Sequence, residues 1–215
     1  MTVLNEEIKS QVKELLSKLD DSVKIVLIKK ASPYLSDIEG LVDEIALLSD
    51  KIELEKVEFD DEAKQKYGIE DGPATVISSD NVKGKIVYFG LPSGYEFGAF
   101  IEAIKLAGSK ILDMDDKLKT FVNDVESANK DVLLQVFVTP ACPHCPSSAY
   151  ISYKLARVCS KVTAHVYEAT EFQELSNHYH VSGVPHTVIN KGAGEYIGGY
   201  PEPHAIDQIR EVLKL

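Results

Sequence analysis

The chain of 215 residues carries 44% hydrophobic side chains, enough for one large domain or two of about 100 residues each. Its 34 acidic against 23 basic side chains leave a formal net charge of -11, which repels phosphate backbones and anionic surfaces and argues against nucleic acid and membrane partners. No apolar run approaches the roughly 20 residues of a membrane span, and MTVLNEEIKS lacks the basic start and apolar core of a signal peptide, so the expected location is the cytoplasm.

Asn5 is placed to cap an opening helix with Ile8, Val12, Leu15, Leu16 and Leu19 on one face. Residues 25–28 follow as a short branched apolar run, which reads as a strand covered on both faces. This strand runs into the Pro-containing turn SPYL (32–35) and a second helix with Ile38, Leu41, Val42, Ile45 and Leu48 as its core stripe. YGIEDGPATVI (67–77) then leads to a strand around Thr75-Val76-Ile77, a glycine-containing hairpin and a closing helix over 100–106. At LDMDD the apolar pattern breaks, and a boundary is expected near Asp113.

Beyond that boundary the chain repeats itself at an offset of about 110 residues. YHVSGVPHTVI (179–189) lines up without a gap on 67–77, sharing Tyr, a branched aliphatic, Pro and Thr-Val-Ile. LLQVFVTPACPHC (133–145) matches VKIVLIKKASPYL (23–35), and Gly199 and Pro201 fall opposite Gly90 and Pro92. Leu118, Phe121, Val122 and Val125 supply the second opening helix, 133–138 the second buried strand and 206–213 the last helix. Each copy reads as βαβ followed by ββα, giving an α/β protein of two units, 1–112 and 113–215.

Three cysteines make an odd count, and only Cys142 and Cys145 are close in sequence, which disfavours a disulfide-rich secreted scaffold. Cys142 lies between a strand and a helix, where the first helical N–H groups lack internal partners and stabilise a thiolate. Cys145 is one turn on, within reach to resolve a mixed disulfide. Pro143 suits the first helical position, and His144 adds positive charge beside the thiolate, which makes the disulfide a stronger oxidant. The same pair is also half of a zinc site or an inert staple. No second CxxC or HxxxH completes a metal site, and Cys159, about 20 Å further along a continuing helix, reads as a buried small hydrophobe. His186 reads as a surface histidine at a strand start, with a place near the thiol pair as the alternative; His165, His178, His180 and His204 show no partner spacing. Tyr34 in the first motif turn and Tyr150 after the second read as packing residues that also suit partner docking.

The strand, the CPHC turn, the helix and Val184-Pro185 before a strand resemble a thioredoxin-fold module. The duplication is similar to the two-module, glutaredoxin-like protein disulfide oxidoreductases of thermophilic archaea and bacteria. The resemblance implies an α/β fold of two tandem thioredoxin-like modules, each a mixed central sheet flanked by helices. It also implies a thiol:disulfide oxidoreductase that maintains cell redox homeostasis, with no bound cofactor or metal beyond the redox-active disulfide. In that scheme Cys142 attacks, Cys145 resolves, Pro185 is cis and faces the disulfide, and Val184 pairs with the substrate backbone. One departure is that SPYL replaces the CxxC of the first module, which cannot exchange disulfides, while Pro73 after Gly72 remains a second cis-proline candidate.

A double unit active only in its second half also resembles the amino-terminal part of the alkyl hydroperoxide reductase flavoprotein subunit. Because GxGxxG is absent, the implied electron donor is a separate thioredoxin-reductase-like flavoprotein, and the acceptor a protein disulfide such as a peroxiredoxin. Three alternatives stand beside this electron-transfer role. They are a disulfide-forming oxidase or isomerase, since a histidine at the His144 position also occurs in the strongly oxidising bacterial protein DsbA; a non-catalytic module whose SPYL unit docks a partner; and a metal or iron–sulfur carrier.

Overall fold

Asn5 caps α1 (Glu6–Leu16) by accepting a hydrogen bond from the Ile8 amide at 2.9 Å, and Val12 and Leu16 turn inward. The computed structural model describes residues 3–215. The first half continues through β1 (Val23–Lys29), α2 (Leu35–Leu47), β2 (Ile52–Glu58), α3 (Asp61–Tyr67), β3 (Ala74–Ser78), β4 (Lys85–Phe89) and α4 (Tyr95–Gly108). The second half repeats the order as α5 (Asp116–Ser127), β5 (Val132–Val138), α6 (Cys145–Val158), β6 (Val162–Glu168), α7 (Gln173–His178), β7 (His186–Ile189), β8 (Gly194–Ile197) and α8 (Glu202–Leu213).

Each half contributes four strands in the same arrangement. The first strand pairs in parallel with the second and antiparallel with the third, and the third pairs antiparallel with the fourth. The two sets meet edge to edge through parallel pairing of β4 with β6, so one mixed sheet of eight strands runs β2-β1-β3-β4-β6-β5-β7-β8. This junction covers one exposed edge from each half, which a free module would leave unpaired.

Alternating side chains split the interior into two cores. On one face Ile25, Leu27, Ile86, Tyr88, Leu134, Val136 and Ala164 pack beneath the longer helices. On the other, Val26, Val87, Phe89, Phe137, Tyr167 and Val188 form a smaller core reached by the short α3 and α7. Phe89 of the first half stacks on Tyr167 of the second at 4.2 Å between ring centroids, and Phe137 follows at 5.4 Å. The helical layer is tied across the junction as well. The Gly84 N–H donates to Ala156 O at 2.7 Å, and the buried Arg157 guanidinium donates through Nε to Leu106 O at 2.8 Å. A Cβ on Gly84 would stand 2.0 Å from Val162 O, so the close approach there requires glycine.

The structure departs from the sequence expectations at three places. The closing helix of the first half begins at Tyr95, five residues before the expected start, and its first turn carries the acidic Glu96, which is buried rather than solvated. Pro143 is not in the helix: α6 opens at Cys145, and the proline at its start is Pro146. His186 is not a surface residue. It is 1% exposed, faces Phe137 across the β5–β7 pair, and its Nε2 lies 3.2 Å from Glu195 Oε2.

Candidate redox site

β5 ends at Val138, and the chain turns through Thr139-Pro140-Ala141 so that the Cys142 N–H donates to Thr139 O at 3.2 Å. Cys142 and Cys145 are joined as a disulfide with their Cα atoms 5.5 Å apart. Cys142 keeps 9% of its surface, whereas Cys145 keeps none. The Cys145 N–H, first of the unpaired amides of α6, points at Cys142 Sγ from 3.1 Å, a donor that favours negative charge on that sulfur once the bond is broken. The outer sulfur is thus the one within reach of a partner and the one best able to carry charge.

Val184 and Pro185, joined by a cis peptide bond, reach the same place from β7. Val184 O lies 3.7 Å from Cys142 Sγ, and Pro185 O is fixed by the Gly198 N–H at 2.8 Å. Exposed His144 caps α6 through its backbone, and Gly199 packs so closely on it that a Cβ there would stand 3.2 Å from His144 Cβ. Cys142, Cys145, Val184 and Pro185 therefore converge on one spot. His186, next in the chain, lies in the smaller core on the opposite face from the cysteines. Cys159 ends α6 fully buried, and burial pushes its thiol pKa up, which fits a packing residue rather than a nucleophile.

The first half repeats the geometry without the chemistry. Ser32 Oγ accepts from the Tyr34 N–H at 3.2 Å, α2 starts at Leu35, and Gly72–Pro73 is a second cis bond. Ser32, Tyr34 and Pro73 face Thr170 and Glu171 of the second half across a cavity of about 460 Å³. Thr170 and Gln173 also line a second depression of about 360 Å³ that includes Val184, so two adjoining depressions lead from the SPYL turn to Val184, whose carbonyl lies 3.7 Å from Cys142 Sγ. Tyr34 stands 43% exposed in the first of them rather than packed.

One residue of this region escaped sequence reasoning. The Tyr95 N–H donates to Pro140 O at 3.0 Å, which ties the start of α4 to the loop that carries Cys142. Gly94, at φ +57°, makes the approach possible, since a Cβ there would stand 2.3 Å from Pro140 O. The next side chain, Glu96, is fully buried, and neither carboxylate oxygen has a hydrogen-bond partner among the described residues. Burial pushes its pKa up to about 8. Burial likewise raises the phenols of Tyr88 and Tyr153, the latter on α6, with the neighbouring Glu96 as the second cause. Glu96 thus holds a proton at neutral pH between the two halves. In the sequence it looks like an ordinary first-turn acid complementing a helix dipole, and its only signal is its isolation in the otherwise apolar YEFGAF.

Residues 132–211 match the model of the thioredoxin domain family. The match covers 80 of the 215 residues and lies within the second half of the chain. Over 196 residues, 91% of its length, the chain is 19% identical to an NADH dehydrogenase of Bacillus subtilis and 18% identical to the F subunit of alkyl hydroperoxide reductase of Staphylococcus aureus. It spans about a third of these curated relatives, 35% of each. Among solved structures, the F subunit of alkylhydroperoxide reductase of Enterococcus faecalis superimposes with a TM-score of 0.85 at 22% identity, covering 97% of this chain and 100% of that one. A protein disulfide oxidoreductase from Aeropyrum pernix superimposes with a TM-score of 0.85 at 18% identity, covering 100% of this chain and 95% of that one. Both likenesses run through both halves, so the double fold they share includes the thiol-less first half. No helix among the described residues is long and apolar enough to cross a membrane, and none of their His, Cys, Asp and Glu side chains gather in threes as metal ligands.

Proposed function

We propose that the chain is a protein disulfide oxidoreductase working through Cys142 and Cys145. The observation that carries this is the asymmetry of the pair: Cys142, which keeps 9% of its surface and whose sulfur is faced by a helix N–H and by Val184 O, is linked to Cys145, which keeps none. In the reducing direction the Cys142 thiolate attacks one sulfur of a substrate disulfide, and the other leaves as a thiolate that takes up a proton. Cys145 then loses its proton, attacks Cys142 Sγ, and releases the second substrate thiol. Two electrons have passed to the substrate, and the Cys142–Cys145 bond has re-formed. Val184 and Pro185 hold the substrate backbone beside Cys142. Glu96, in the first turn of α4 beside the Tyr95 tie to the Pro140 loop, is buried and keeps its proton up to about pH 8.

The likeness to the F subunit of alkyl hydroperoxide reductase supports a donor of the thioredoxin-reductase-like flavoprotein class and an acceptor such as a peroxiredoxin disulfide. A cytoplasmic site of action and a place in cell redox homeostasis follow from that assignment. The two adjoining depressions from Tyr34 to Val184 favour a docking role for the SPYL unit within the same reaction, because they give an extended partner segment a surface that leads to the residue facing Cys142. The test is insulin reduction by the pre-reduced protein. Wild type precipitates the insulin B chain, Cys142→Ser does not, and full activity in Cys142→Ser would overturn the proposal. Adding a thioredoxin reductase with its nicotinamide donor restores turnover if the donor class is right.

A further inference from the structure

A cavity of about 400 Å³ lies on the sheet face opposite α6, where the chemistry proposed above leaves nothing to do. Three rows of paired strand residues run beneath it, of which Lys85, Thr163, Leu133, His165, Gln135 and Tyr167 line the cavity itself. The row of Lys85, Thr163 and Leu133 comes first, then Val87, His165 and Gln135, and the row of Phe89, Tyr167 and Phe137 closes it with the aromatic stack. The face is therefore apolar at one end and polar at the other.

His165 and Gln135 are 5% and 4% exposed. Tyr167 OH and His165 Nδ1 are 3.3 Å apart, but His165 Nε2 and Gln135 Oε1 find no partner among the described residues. Buried polar atoms in a native chain are nearly always satisfied, so a polar cavity with two open atoms in its wall calls for a partner from outside the chain. Three ammonium groups stand at the rim. Lys161 pairs with Asp131 at 3.3 Å, and Lys191 pairs with Glu70 at 2.6 Å across the two halves. Lys85 makes no ion pair among the described residues, and a Cβ on Gly68 would come within 2.9 Å of its Nζ. One positive charge is left over at this spot in a chain of net charge -11.

We infer that this cavity binds a small organic anion of the phosphate or carboxylate class, its charge on Lys85, an anionic oxygen on His165 Nε2 and a hydroxyl donating to Gln135 Oε1. Burial, with Lys85 and Lys191 alongside, holds His165 down to about 3, so the ring is neutral there. With the Tyr167 hydroxyl donating to Nδ1, the ring proton sits on Nε2 as a donor to the anion. The volume exceeds a single phosphate and falls in the range of metabolite sites.

The experiment is a titration of the ¹⁵N-labelled full chain with inorganic phosphate and, in a second arm, with citrate, following the His165 ring signals against sodium chloride at matched ionic strength. The expected result is a saturable His165 shift in at least one arm. Lys85→Met weakens it by about tenfold, the worth of one charge-assisted hydrogen bond, while Lys18→Met, far from the cavity, leaves it unchanged. Tighter phosphate binding identifies a phosphorylated ligand, and tighter citrate binding a polycarboxylate. No shift beyond that of chloride in either arm, or equal affinity in Lys85→Met, would overturn the inference. Insulin reduction by Lys85→Met stays at the wild-type rate, so this outcome is read separately from the dithiol chemistry.

Discussion

Glu96→Gln replaces a buried carboxyl by its uncharged isostere and leaves the packing between α4 and α6 in place. In the unfolded chain the Glu96 carboxyl titrates near 4.5; in the folded chain burial raises it to about 8. Between those values the folded protein binds one proton more than the unfolded chain, so stability falls as pH rises, by about 1.4 kcal/mol per pH unit. The contribution is whole below pH 4.5 and is lost progressively up to about pH 8. From pH 4.5 to pH 7 the wild type thus gives up about 3 kcal/mol that the glutamine variant keeps, a large share of the 5–15 kcal/mol that stabilises an ordinary domain. Urea unfolding of the oxidised proteins at pH 5 and pH 7 measures the difference directly. Wild type should lose more stability than Glu96→Gln between the two pH values, with equal m-values. Parallel pH dependences in the two proteins would show that Glu96 is ionised and solvated in the fold, and would refute its protonation at neutral pH.

Gly84→Ala forces a methyl group into Val162 O and should cost about 1–3 kcal/mol in urea unfolding, whereas Gly98→Ala, with open space beside it in α4, should gain up to about 1 kcal/mol. Cys159 should resist alkylation in the native protein and react only after denaturation, as mass analysis of iodoacetamide-treated samples will show. Replacing exposed His144, between the two cysteines, by Gln should make the couple more reducing, by about 30 mV for each tenfold change in the exchange constant, read in thiol buffers of defined potential.

The chain repeat exposed most of the architecture, because strands buried on both faces must be written in branched apolar residues wherever they recur. Residues 25–28 and 133–138 show this directly, and Thr-Val-Ile marks the third strand of each half. Strands β2 and β6 were implied by the βαβ order but not located. IELEKVE is half solvated at the sheet edge, and VTAHVYE carries a histidine that is polar in sequence and buried in fact. The spacing of Cys142 and Cys145 and the Val-Pro pair were legible because the site needs those residue types close to one turn. What could not be read was anything made by the junction between halves. The β4–β6 pairing, the Arg157 tie to Leu106, the Gly94 approach to Pro140 and the burial of Glu96 all join residues about 50 or more positions apart, and no local pattern records them. His186 was misplaced for a related reason, since a histidine at a strand start looks exposed until the opposite face of the sheet is known to be covered.

Dithiol exchange at this site turns on which sulfur meets the substrate. Reduced Cys145→Ser protein, mixed with a disulfide-containing protein such as oxidised peroxiredoxin and quenched in acid, should accumulate a covalent adduct that peptide mass mapping places on Cys142. An adduct on Cys159, or none where the reduced wild type completes the exchange, would contradict it.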